Sequence, residues 1–85
     1  MLTVPLSGSL APPVYERYLA ALLDGEREQC AAVVNDLHGA NLPLRTVYVD
    51  LFQRSLYRVG DLWEHNRISV ATEHLATAIT ERMVS

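Results

Sequence analysis

The feature that most constrains this 85-residue chain is the spacing of its apolar side chains. From Val14 onward they recur at intervals of three and four, and no run alternates with period two for long enough to compete as a strand. That recurrence is what one helix face turned toward a core requires. Val14, Tyr15, Tyr18, Leu19, Leu22 and Leu23 form the first such face; Cys30, Val33, Val34 and Leu37 form the second. A third, longer face runs through Leu44, Val47, Tyr48, Leu51, Phe52, Leu56, Val59, Leu62 and Trp63. Val70, Ala71, His74, Leu75, Ala78, Ile79 and Met83 make the fourth. Short connections between successive helices favour antiparallel neighbours, so the expected fold is all-α, an antiparallel four-helix bundle over residues 14–85.

Residues between these faces are turn and cap formers. Asp24-Gly25 separates the first two helices, with Asp24 expected to cap the second. Gly39 suits the left-handed residue that closes a helix, and Pro43 suits the first turn of the next. Gly60 predicts a bend or a close helix contact inside the third helix. Asn66 tolerates the left-handed conformation that ends that helix, and Ser69 is a natural N-cap for the fourth. Met1 to Pro13 hold three Pro, one Gly and two Ser without a sustained period, and read as a tail or linker. The fourth helix reaches Met83-Val84-Ser85 without a stop signal, which points to a chain cut from a longer protein.

Composition narrows the function. With 49% hydrophobic and 20% charged residues and a net charge of -3, the chain suits a soluble globular domain. Its seven basic residues are all Arg and form no stripe, so direct nucleic-acid binding by this segment is not expected. Cys30 is the single cysteine and cannot make an internal disulfide. Neither a signal-peptide pattern nor a run of about 18 apolar residues is present, so no membrane role and a cytoplasmic location are expected.

One corner gathers chemistry. Trp63 ends the third helix, and Glu73 and His74 open the fourth, so all three lie within roughly 5–8 Å of one bundle end along the axis. On spacing alone, two readings stand side by side. One is a core Trp, a first-turn Glu favoured by the helix dipole and a satisfied core His on the inward stripe. The other is an apolar wall with two polar hands. Elsewhere the constellations are thin. Asp61 and His65 share a face at i, i+4, but two ligands do not close a metal site. Cys30 reads as a small core residue, and Tyr15, Tyr18, Tyr48, Tyr57 and Phe52 read as packing. His38 reads as a cation-compatible residue at a helix C-terminus.

The stretch Val59-Gly60-Asp61-Leu62-Trp63-Glu64, followed by Arg67-Ile68-Ser69-Val70-Ala71-Thr72-Glu73-His74-Leu75-Ala76-Thr77, resembles the helical cap domain of cobalamin-binding modules. It is most similar to light-sensing, adenosylcobalamin-dependent transcriptional regulators, whose signature is Trp, nine residues, then Glu-His. Tyr18-Leu19-Ala20-Ala21-Leu22-Leu23-Asp24-Gly25 and Val47-Tyr48 fit the same pattern. The resemblance implies a bundle over the upper face of the corrin, opposite a Rossmann-like domain. It implies Trp63 as an apolar lid, Glu73 as a hydrogen-bond partner of an adenosyl group, and His74 as a cobalt ligand once that group is lost. Corrinoid methyl carriers share the cap but lack the Glu-His pair.

The lower half has no counterpart in this sequence. Asp36-Leu37-His38-Gly39-Ala40-Asn41 begins like the Asp-x-His-x-x-Gly loop of that half, yet Asn41 stands at the final Gly position. The expectation is therefore a cofactor-binding cap that is not an enzyme by itself and works with a Rossmann-like partner domain. The alternatives are the cap of a methyl carrier and a ligand-free helical interaction module. Apolar surface around Trp63 leads to the further expectation of a homo-oligomer, a symmetric dimer.

Overall fold

The computed structural model describes residues 10–84, so the first nine residues of the tail expected over Met1 to Pro13 lie outside the described residues, as does Ser85. Among the described residues there are four helices and no strand. Helix α1 spans Pro12–Leu23 and α2 spans Arg27–Gly39. Helix α3 runs without a break over residues 44–64, as α-helix in Leu44–Thr46, π-helix in Val47–Gln53 and α-helix again in Arg54–Glu64. Helix α4 spans Val70–Val84. Helix α1 packs against the other three, and α4 packs against α2 and α3.

Three of the helix ends share one device. At the end of α1, Gly25 takes φ 71°, its N–H reaches the Leu22 carbonyl, and the Glu26 N–H reaches the Ala21 carbonyl. At the end of α3, Asn66 takes φ 59°, with Asn66 N–H on the Trp63 carbonyl and Arg67 N–H on the Leu62 carbonyl. Both are Schellman closures, in which a left-handed residue lets two orphan carbonyls find donors. Asn41, at φ 60°, plays this part after α2. Gly39, expected in that role, is instead the last helical residue, with Ala40 as the C-cap.

Several other boundaries differ from expectation. Pro12 and Pro13 open α1, because a proline costs no hydrogen bond in a first turn, and Leu10 already packs against the core. Asp24 closes α1 and does not cap α2, which starts after Glu26 without a side-chain cap. Pro43 precedes α3 as its N-cap residue. The irregularity in α3 falls in the π stretch, not at Gly60, where an added Cβ would meet nothing within 4 Å.

The core forms where the four helices meet. Tyr18, Leu22, Cys30, Val33, Leu51, Val59, Ala76 and Ile79 are buried to within 1% of completely, and each large apolar side chain there contributes roughly 1.5–3 kcal/mol. Phe52 stands 5.8 Å from the Tyr18 ring and 5.7 Å from the Tyr48 ring, both in tilted or edge-on geometry. That arrangement brings the positive ring edge to the negative face. The buried Tyr18 hydroxyl is 3.2 Å from Thr80 Oγ1, which pins α1 to α4 across 62 residues of sequence. Burial raises the Tyr18 phenol to about 12, against which the Thr80 hydrogen bond acts weakly, and burial alone raises the Cys30 thiol to about 11.

Helix α4 meets this core on a face other than the one its spacing suggested. Ala76, Ile79 and Thr80 are buried, whereas Val70, Ala71, His74, Leu75 and Ala78 are exposed. Leu44 and Tyr57, counted as packing residues, are also more than 70% exposed.

Candidate functional site at the turn between α3 and α4

The turn that joins α3 to α4 is held from both sides. The Schellman closure ends α3 directly after Trp63 and Glu64, and Ile68 tucks partly into the core. Ser69 then caps α4 as expected: its Oγ accepts the Thr72 N–H at 3.1 Å and donates to Thr72 Oγ1 at 3.2 Å. The turn from α1 to α2 reaches this same end of the molecule. A Cβ on Gly25 would stand 2.9 Å from Leu75 Cδ2.

On this frame the structure places the three sequence-predicted residues as follows. Trp63, in the last turn of α3, is 46% exposed, so it is not a core tryptophan. Glu73, in the first turn of α4, keeps a half-buried side chain with Oε1 3.0 Å from His74 Nδ1. Thr77, one turn on, donates from Oγ1 to Glu73 Oε2 at 3.4 Å. The His74 side chain is 76% exposed, which corrects the expectation of an inward imidazole. Glu73 and His74 are thus brought into contact, and Trp63 faces solvent across the turn. Val70 and Leu75, both about half exposed, extend the apolar surface beside them.

The contact between Glu73 and His74 has a chemical consequence. A carboxylate that holds Nδ1–H selects the tautomer whose Nε2 carries the lone pair. Histidines that ligate metals are usually held in this way. The pairing of Asp61 and His65 differs. There Nδ1 lies 2.8 Å from the Asp61 carbonyl oxygen and 3.4 Å from its Oδ1, within a helix end whose Asp61 also holds Arg58 at 2.9 Å. Among the described residues no three His, Cys, Asp or Glu side chains gather as a closed metal site. Cys30 is buried, as its place on an apolar face implied. His38 sits in the last turn of α2 as expected.

Two clefts lie elsewhere. A cleft of about 510 Å³ opens among Val34, Leu42, Leu44, Tyr48 and Met83, and one of about 340 Å³ adjoins it along Val49, Phe52 and Leu56. Both lie along the first half of α3 and the last turns of α4, away from Trp63. The chemistry-bearing corner is an open surface, of the kind that a second surface completes.

The model of the B12 binding domain family matches residues 14–85. The chain belongs to the B12 binding domain family. A search of curated proteins finds no match. The described helices are the helical domain of such a module, and its cofactor is a cobalamin. The chemistry of the residues at the corner is compatible with one: an exposed indole and apolar side chains, a carboxylate that can accept hydrogen bonds, and an exposed imidazole, a type of side chain that ligates transition metals. Thr77 was not singled out from sequence, although its i, i+4 relation to Glu73 was a readable signal.

Proposed function

We propose that this B12 binding domain is an antiparallel bundle that caps the upper face of adenosylcobalamin in a light-responsive regulator. Its role is binding and sensing, not catalysis. The observation that carries the reading is the contact between Glu73 and His74 beside the exposed Trp63. When bound, adenosylcobalamin supplies a light-labile cobalt–carbon bond. Trp63 covers the upper ligand and excludes water from it. Glu73, steadied by Thr77, accepts a hydrogen bond from the adenosyl group. His74, held by Glu73 at Nδ1, would be the residue able to offer Nε2 to the metal. A Rossmann-like domain, in the same chain or another, takes the lower face. His38 and Asn41 do not replace it, because they end α2 and its cap.

The test combines this chain with such a lower half and follows adenosylcobalamin by visible absorption. Trp63→Ala is expected to weaken binding in the dark by up to about 3 kcal/mol, through lost apolar burial. His74→Ala is expected to leave dark binding intact and to change the spectrum after illumination. An unchanged spectrum after light in His74→Ala would remove the ligand role. Light-insensitive binding of the parent would favour the methyl-carrier reading, and no binding at all would favour a ligand-free interaction module.

A further inference from the structure

A second apolar surface, distinct from the Trp63 corner, lies on the first half of α3. Leu44 is 71% exposed, and Tyr48 and Val49 are each more than 40% exposed. Three such side chains within six residues form a ridge at i, i+4 and i+5, Leu44 in the α-helical first turn and Tyr48 and Val49 in the π stretch that follows. Beside the ridge, further along α3, lies the 340 Å³ groove walled by Val49, Phe52, Gln53 and Leu56, with Glu81 of α4 at its rim. The ridge thus begins with a projecting leucine and ends at an apolar hollow.

We infer that this surface pairs with a second copy of the same chain. Knob and hollow lie on one helix, roughly 10–13 Å apart at the ordinary helical rise. A two-fold axis passing between them, near Tyr48 and Val49, sets two α3 segments antiparallel and sends each Leu44 into the other copy's hollow. Such an isologous contact closes on itself, so it makes a dimer and not a filament. Charge agrees with this pairing. Arg45 stands next to the knob and Glu81 at the rim of the hollow, so each Arg45 of the pair meets a Glu81 of opposite sign. No ion pair within the described residues engages either side chain. The pairing leaves the Trp63 corner uncovered, and it does not depend on which cofactor that corner receives.

Sedimentation equilibrium of the 85-residue chain tests the inference. The parent is expected to be a monomer–dimer mixture at micromolar to millimolar concentration. Leu44→Glu is expected to weaken the dimer about tenfold or more, as loss of a central anchor does, with an unchanged helical circular-dichroism spectrum because the side chain is solvent-facing. Arg45→Glu and Glu81→Arg are each expected to weaken the dimer, and their combination is expected to restore it. Trp63→Ala is expected to leave it unchanged. A parent that stays monomeric, a dimer that survives Leu44→Glu, a double charge swap without recovery, or a dimer lost in Trp63→Ala would each overturn the pairing.

Discussion

The two faces of α4 divide the labour of the domain. On the inner face Ala76, Ile79 and Thr80 are buried, and the one polar group among them, Thr80 Oγ1, is matched by Tyr18 from α1. On the outer face Val70 is half exposed and His74 lies largely in solvent, and the polar partner of His74 comes from the neighbouring residue, Glu73. Polar pairing on the inner face joins distant parts of the chain and steadies the fold. On the outer face it is local, so it adds little stability, but it orients a nitrogen.

The largest expected effect tests this division directly. Ile79→Ala should cost about 2–5 kcal/mol of stability, whereas Val70→Ala, half exposed on the outer face, should cost well under half as much. Urea denaturation of both variants measures the difference, and comparable losses would mean that the faces are misassigned. Such a result would leave the corner without its open surface.

The core against which the inner face packs carries a pH signature of its own. The Tyr18 phenol is raised in the folded state from 10.0 to about 12, so its contribution is fully present below pH 10 and lost as pH rises through 12. A two-unit shift corresponds to roughly 2–3 kcal/mol. Cys30, raised from 9.0 to about 11, acts with the same sign over a window one unit lower. Unfolding followed from pH 8 to 12 should therefore show stability falling steeply above about pH 9. Tyr18→Phe should remove the upper part of that fall. It should also lower stability at neutral pH by about 1–3 kcal/mol, because Thr80 Oγ1 loses its partner.

The smallest effect concerns the hinge between the faces, the cap that starts α4. Ser69→Ala removes the acceptor of the Thr72 N–H and should cost about 0.5–2 kcal/mol. Thermal denaturation reads that loss. If the cap also orients Glu73, one turn inside the helix, the variant should shift the nuclear magnetic resonance signals of the His74 ring. If those signals stay fixed, the Glu73–His74 contact is set by α4 alone.

Much of this was legible before any coordinates. Turn chemistry is local, so Asn66 and Ser69 could be read directly as the end of α3 and the start of α4. The burial of Cys30 and the number of helices followed from periodicity for the same reason. The left-handed residue after α2 was misplaced because Gly39 and Asn41 are both suited to it, and only the path into Pro43 chooses between them. The π stretch carried no composition cue. Gly60, the visible irregularity, lies in ordinary helix.

The sequence by itself determined that the chain is helical, roughly where its turns lie, and that an indole precedes and a carboxylate and an imidazole follow one of them. Those properties rest on local backbone preference and on spacing within a single helix. Only the tertiary structure decided which face of α4 turns inward. Val70, Ala71, Leu75 and Ala78 are as apolar as Ala76 and Ile79, so hydrophobicity alone could not rank the two faces. The choice rests on partners from elsewhere in the chain: Tyr18, which needs the Thr80 hydroxyl, and the close approach that Ala76 permits. Turning that face inward leaves His74 in solvent against Glu73, so the corner is open surface and not a piece of the core.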